Sequence, residues 1–370
     1  MTNPIRVAAC HASAVFLSAK GTTEKAISLV HEAAKNKANL VVFPETFIPA
    51  FPVWSSVRPP TENHGLFQQM AHQSIYVDGP EMSAIQATAK ISNTIISIGI
   101  SEKVRYSSAC LFNSNVIIGS DGEILVHHRK LMPTFFERLT WSSGDGYGLR
   151  VAETAFGKIG NLICGENTNP LARYSLMAQG EQLHISTWPA IWPTRAATTA
   201  TTKDFSEKKS NSIVSTREVE KKGPANYDNI AANRTRAAAH CFEAKCFGVL
   251  CSGRLDHNAI DRISEGSSDE SHVRSVLKQS PAAATMFLDP TGALLPGYTV
   301  DENSGQSHTK DFLQHEEDIL YADIDFEDCV EGKQYHDVVG GYQRLDVFEL
   351  KVNRTRRVLA TFVDTTMVEQ

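Results

Sequence analysis

The chain has 370 residues, 42% hydrophobic and 21% charged, the composition of a folded globular protein built as one large domain or two small ones. A formal net charge of -6, with Lys and Arg dispersed rather than clustered, leaves no basic footprint for nucleic acid or an anionic membrane, so the expected partner is a small molecule. No apolar run approaches the roughly 20 residues of a membrane-spanning helix; Met1 to Ser13 also lacks the features of a signal peptide, and the expected location is cytoplasmic.

In chain order, a short strand at Ile5 to Cys10, a helix near Thr23 to Lys37 and an apolar strand at Asn39 to Phe43 imply parallel pairing with a right-handed crossover. A second helix, Pro80 to Lys90, leads into a strand at Thr94 to Ile100. Two alternating runs, Leu111 to Ile118 and Glu123 to His128, flank Ser120-Asp121-Gly122, which is hairpin chemistry. Runs at Val151 to Phe156 and Ile159 to Cys164 surround Gly157-Lys158 and end on a cysteine. Asn169 as N-cap, Pro170 in the first turn and Gly180 at the C-terminus then mark a helix, with Leu171, Tyr174 and Ala178 on its period.

Alternation resumes with a strand at Leu183 to Thr187, a helix at Asn229 to Cys241 and strands near Phe247 to Cys251, Ala283 to Leu288 and Ile319 to Ile324. Pro193 to Pro224 reads as a polar surface excursion that forms an interface or lid, and Ser264 to Ser280 as a similar polar stretch. Tyr335 to Asp346 and a polar tail lie outside the compact part. From these elements alone the class is mixed α/β with antiparallel additions.

The seven cysteines are an odd number in mostly apolar surroundings, which fits buried thiols in a reducing compartment. Cys241, Cys246 and Cys251, with His240 beside them, lack the Cys-x-x-Cys spacing of a zinc knuckle, and no metal is read from them.

Three segments place reactive side chains just after strands, where α/β scaffolds present their sites. Glu45 follows an apolar strand and Pro44; alone, it reads as an exposed loop glutamate. Lys130, in His128-Arg129-Lys130-Leu131-Met132-Pro133-Thr134, is followed by Glu137, a carboxylate able to keep a desolvated lysine charged. Taken alone, that segment is a solvated basic turn. Cys164, in Asn161-Leu162-Ile163-Cys164-Gly165-Glu166-Asn167, sits between a strand and a capped helix, where a helix N-terminus and a lysine favour a thiolate and Gly165 permits close backbone approach. A buried structural cysteine is the competing reading.

In combination these segments resemble the nitrilase superfamily, with its Glu after one strand, Lys before a Pro, and Cys at a strand-to-helix elbow, in that order. The resemblance extends over Ile5 to Leu350, and Glu137-Arg138-Leu139 to Gly144-Asp145-Gly146, Leu171-Ala172-Arg173 to Gln179-Gly180-Glu181 and Asp337 to Tyr342 look like the nitrilase branch proper. Gly341 stands where many nitrilases carry a His, and Ser142 where a Gly is common after the Trp.

The resemblance implies a four-layer α-β-β-α sandwich, with one carbon-nitrogen hydrolase domain over 1–350, a tail over 351–370, and assembly as a homodimer or larger spiral homo-oligomer. It implies Glu45, Lys130, Glu137 and Cys164 as catalytic residues and Gly165, Phe51, Thr134, Trp188 and Pro189 as substrate-binding residues, with Trp188 equally readable as core. The implied reaction converts a nitrile to an acid and ammonia through a covalent cysteine adduct, with no metal or organic cofactor. The alternatives are an amidase or cyanide-degrading hydrolase on the same site, or a non-catalytic filament scaffold on the same fold.

Overall fold

The computed structural model describes residues 4–193 and 227–361. The Ile5–His11 strand shows why the chain needs four layers. Ile5, Val7 and Ala9 point to one apolar core, while Ala8 and Cys10 point to another, so both faces of the strand are covered.

Eight strands make the first sheet, in the order Ser307–Lys310, Gly297–Val300, Asp318–Ile324, Ile5–His11, Leu40–Val42, Ile95–Val104, Ser107–Ile118, Ile124–Arg129. Ile5–His11, Leu40–Val42 and Ile95–Val104 pair in parallel, as the strand-helix-strand reading requires. The second sheet runs Leu294–Leu295, Thr285–Leu288, Phe247–Ser252, Leu183–Trp188, Lys158–Ile163, Ala152–Glu153, with Phe312–Leu313 against Thr285–Leu288.

The two sheets meet through Val7, Ala9, Leu40 and Val42 on one side and Ile159, Ile185, Phe247 and Val249 on the other. The helices Ala19–Lys35 and Pro80–Ser92 cover the outer face of the first sheet through Ala26, Val30, Met82 and Ile85. Pro170–Met177 and Asn229–Ala244 cover the second, Leu176 packing on Leu162 and Ala237 on Leu250. The result is the α-β-β-α sandwich.

Several boundaries differ from the sequence reading. The first helix begins at Ala19 rather than Thr23, because the Ser18 hydroxyl accepts the Gly21 N–H at 3.1 Å and caps it. Val151 to Phe156 keeps only Ala152–Glu153 as strand, since Thr154 Oγ1 accepts from the N–H groups of Phe156 and Gly157 and turns the chain. Leu171 is exposed rather than part of the helix's buried face.

The polar stretch Ser264 to Ser280 is corrected more fully. It carries the end of the helix His257–Ser264 and all of Glu270–Gln279. Asp269 caps the second helix, and Val273, Val276 and Leu277, spaced i, i+3, i+4, bury its one apolar stripe. The helices Trp54–Val57, His64–Gln73 and Asp328–Tyr335 were also not expected. Beyond Asp328–Tyr335, residues 336–361 are mostly exposed. Apart from Pro193, the Pro193 to Pro224 excursion lies outside the described residues. No helix among the described residues is long and apolar enough to cross a membrane.

Candidate active site

Strand ends from both sheets converge on one buried cluster. Glu45 follows Leu40–Val42, and its loop lies directly on the neighbouring strand at Gly99, where a Cβ would stand 2.3 Å from the Pro44 carbonyl and 2.4 Å from the Thr46 nitrogen. Gly99→Ala, which touches no reactive atom, is therefore expected to push this loop outward, costing about 1–3 kcal/mol and a parallel loss of activity. Thermal unfolding and turnover measured together check this, and an unchanged rate would show that the loop position is not critical.

Lys130 follows Ile124–Arg129, its N–H donating to the Asn113 carbonyl at 2.8 Å, and Glu137 lies on the 3-10 turn Phe135–Leu139. Cys164 opens the 3-10 turn Cys164–Thr168 directly after Lys158–Ile163. Thr46, Phe135 and Cys164 have left-handed backbones, at φ 48°, 49° and 51°, so each of the three site segments holds a strained non-glycine residue.

The reactive atoms of Glu45, Glu137 and Cys164 lie within 4.8 Å of one another. The Lys130 ammonium is seated between the carboxylates, 2.8 Å from Glu45 Oε1 and 2.8 and 2.6 Å from the two oxygens of Glu137, with all these side chains fully buried. Asn113 Nδ2 donates to the same Glu45 oxygen at 2.7 Å, and Glu45 Oε2 is buried with no hydrogen-bond partner among the described residues. Thr134 N–H donates to Glu137 Oε2 at 2.9 Å.

Burial works against the Lys130 charge, but Cys164, Glu137 and Glu45 outweigh it and hold the ammonium well above its ordinary range. Burial likewise lifts Glu137, opposed by Lys130, to about 7. Burial and then the Glu45 charge push the Cys164 thiol well above its ordinary range, against the opposing pull of Lys130.

A second layer fixes the elbow. Glu166 accepts the Ile163 N–H at 2.8 Å and the Leu131 N–H, and contacts His128 Nε2 at 2.9 Å, tying the cysteine turn to the lysine turn. Although burial would raise it, His128 and these N–H groups hold Glu166 below the ordinary carboxylate range. Asn167 Nδ2 donates to the Cys164 carbonyl at 3.0 Å, while its Oδ1 accepts from Ser186 and faces His184 Nε2 at 2.8 Å. His184 Nδ1 meets Glu181 Oε1 at 2.8 Å, and His240 Nε2 meets Glu181 Oε2 at 2.6 Å.

These buried groups set the acid stability. Burial raises Glu181, but His184 and His240 bring it down to about 2; His127 and Arg129 do the same for Glu102. Both sit below the ordinary 4.5, so the unfolded chain binds more protons between those values, and stability present above pH 4.5 is lost as pH falls toward 2. His240, lowered by burial from 6.5 to about 4, adds loss on acidification from 6.5; Glu137, raised to about 7, works oppositely between 7 and 4.5. The expected result is an unfolding midpoint falling steeply below pH 4.5, with a shallower slope in Glu102→Gln. Equal slopes in differential scanning calorimetry would refute it.

The four expected catalytic residues thus come together. Gly165, Thr134, Trp188 and Pro189 line the cavity holding Cys164, and a Cβ on Gly165 would stand 2.5 Å from Thr134 Oγ1, so the glycine admits that hydroxyl. Trp188 is both core and cavity wall: it is buried, yet faces the cavity. Phe51 lines the adjoining cavity with Glu45 and Pro189 and packs on Trp141 and Trp192.

Sequence reasoning missed Asn113, Glu166, Asn167 and His184, and also Arg236, which lines the cavity with Cys164. The signal for Asn113 is the polar run Asn113-Ser114-Asn115 inside a strand buried on both faces. Two groups among the described residues offer metal-type donors. In Glu45–Glu137–Cys164 the Lys130 ammonium already occupies the space between the carboxylates. The other is Glu181–His240–Cys246, so the structure joins His240 to Glu181 and one cysteine rather than to the cysteine series, and Glu181 there is already bonded by two imidazoles.

With two carboxylates, a lysine and a strand-end cysteine gathered on an α-β-β-α sandwich, the chain belongs to the carbon-nitrogen hydrolase family, whose model matches residues 6–334. It is 32% identical to a nitrilase of Penicillium rubens over 95% of each chain, and 30% identical to an arylacetonitrilase of Hypocrea virens over 95% of this chain and 92% of that one. The fold is similar to that of Saccharomyces cerevisiae Nit3, a member of branch 10 of the nitrilase superfamily, at 17% identity and a TM-score of 0.60, covering 94% of this chain and 97% of that one.

Proposed function

We propose that the chain hydrolyses an organic nitrile to a carboxylic acid and ammonia, with Cys164 as nucleophile, Glu45 as base, and Lys130 and Glu137 completing the charge set. The observation that carries this reading is the bare Oε2 of Glu45 in a cluster where the thiol, the base and a fixed cation lie within a few ångströms. The relatives named nitrilase and arylacetonitrilase support the choice of a nitrile over other carbon-nitrogen bonds.

Glu45 takes the thiol proton as sulfur attacks the nitrile carbon. The developing charge on nitrogen meets the Lys130 ammonium and the Gly165 N–H, and Glu45 returns the thiol proton to the nitrogen, giving a thioimidate. Water adds to that carbon, ammonia leaves, and an acyl thioester remains. A second water, activated by Glu45, releases the acid and returns the proton to sulfur. Glu137 keeps the ammonium oriented throughout. Lys130 supplies the electrophilic charge, and no step calls for a metal or organic cofactor. The active form proposed is a homo-oligomer, which sedimentation would test.

Ammonia release from aliphatic, aromatic and arylacetic nitriles, matching amides and cyanide tests the reaction, together with intact mass after rapid quench. Nitrile turnover with an acyl adduct on Cys164 is expected. Turnover of amides alone would move the chain to amide hydrolysis, and turnover of nothing would favour a scaffold. Trp188→Ala is expected to reorder the nitriles by several-fold in kcat/KM, since it enlarges one cavity wall; an unchanged order would remove Trp188 from substrate contact.

A further inference from the structure

Among the described residues, one charge facing the cavity of Cys164 is left unmatched. Lys130 is balanced by Glu45 and Glu137. Arg236 is not: Asn229, Asn233 and Arg236 present one face of the Asn229–Ala244 helix to the cavity, and the guanidinium lies over the Trp188 ring at 4.7 Å. Its Nε donates to the Ala232 carbonyl at 3.0 Å, and its Nη2 to Asn233 Oδ1 at 3.4 Å and to the Tyr227 hydroxyl.

Every one of those partners is neutral, and among the described residues no carboxylate pairs with Arg236. Arg173 pairs with Glu243, Arg129 with Glu102 and Arg356 with Asp145; Arg58 and Arg254 are also held by neutral groups, but neither lines the cavity of Cys164. A guanidinium that is stacked and aimed by neutral groups, but not neutralised, is built to receive an anion, and its planar fork matches a carboxylate.

We propose that Arg236 recognises a carboxylate on the substrate, so that the favoured nitriles are themselves acids, small cyano-carboxylates spanning Arg236 and Cys164 with their apolar middle against Trp188. This rests on the nitrile-hydrolysing reading above. It assigns Arg236 to specificity, apart from the chemistry at Lys130.

The test compares kcat/KM for a cyanoalkanoate and the alkanenitrile of the same chain length, in wild type, Arg236→Gln and Arg236→Lys. Wild type should prefer the cyano acid, and the ratio should fall roughly ten- to hundredfold in Arg236→Gln, with Arg236→Lys between them. A wild type that prefers the neutral nitrile, or an Arg236→Gln enzyme that keeps the acid preference, overturns the proposal while nitrile hydrolysis stands. If neither nitrile turns over, the activity reading fails, and the arginine assignment is decided separately by iodoacetamide labelling of Cys164. Glutarate should then slow labelling in wild type but not in Arg236→Gln, and absence of protection in wild type would reject it.

Discussion

Cys164→Ala is expected to lose at least about a thousandfold in turnover while folding like the wild type. The sulfur is buried, and every hydrogen bond described at this position belongs to the main chain, such as that from Asn167 to the Cys164 carbonyl. Alanine keeps those bonds, tolerates the left-handed backbone about as well as cysteine, and leaves a void of one atom, worth about 1 kcal/mol. Ammonia release and thermal unfolding on the same sample separate the two effects. Substantial residual turnover in a well-folded variant would mean that another group attacks the substrate.

Lys130→Met should strike both rate and stability. Methionine fills the space of the stem but leaves Glu45 and Glu137 facing one another without the ammonium between them. Breaking a buried ion pair from one side costs about 3–5 kcal/mol, and removing a donor aimed at developing charge costs about 100- to 1,000-fold in rate. Glu137, already lifted to about 7 with the lysine present, is the first carboxylate to take a proton when the cation goes. Since its folded value then rises further above the unfolded one, the variant's stability deficit should shrink as pH is lowered from 8 toward 6. A deficit that is constant over that range would show that the two carboxylates do not sense each other.

The residues of the cluster could be named from sequence because Glu45, Lys130 and Cys164 each follow a strand at a motif that keeps its local order: Glu45 after Pro44, Lys130 before Pro133, Cys164 before Gly165. What supports them could not, since the partners are remote in the chain. Asn113 reaches Glu45 from 68 residues away, and Glu166 meets His128 across 38. Arg236 lies on a helix whose apolar period gave no hint that three of its polar residues turn into a cavity. The helix Glu270–Gln279 was hidden differently, because three buried residues in ten leave a mostly polar segment whose stripe emerges only when the helical period is imposed.

The parallel opening and the Ser120-Asp121-Gly122 hairpin were legible because their signals are local. The division into two sheets was not. Ile5, Val7 and Ala9 look like Ala8 and Cys10 in composition, and only the tertiary fold decides which core each set enters.

Glu45, Lys130 and Asn113 hang from the first sheet, and Cys164 with Trp188 hangs from the second. With the roles proposed above, catalysis in this fold is indivisible. A fragment containing the first sheet alone would own a proton acceptor with nothing to activate, and one containing the second would own a thiol with nothing to deprotonate it.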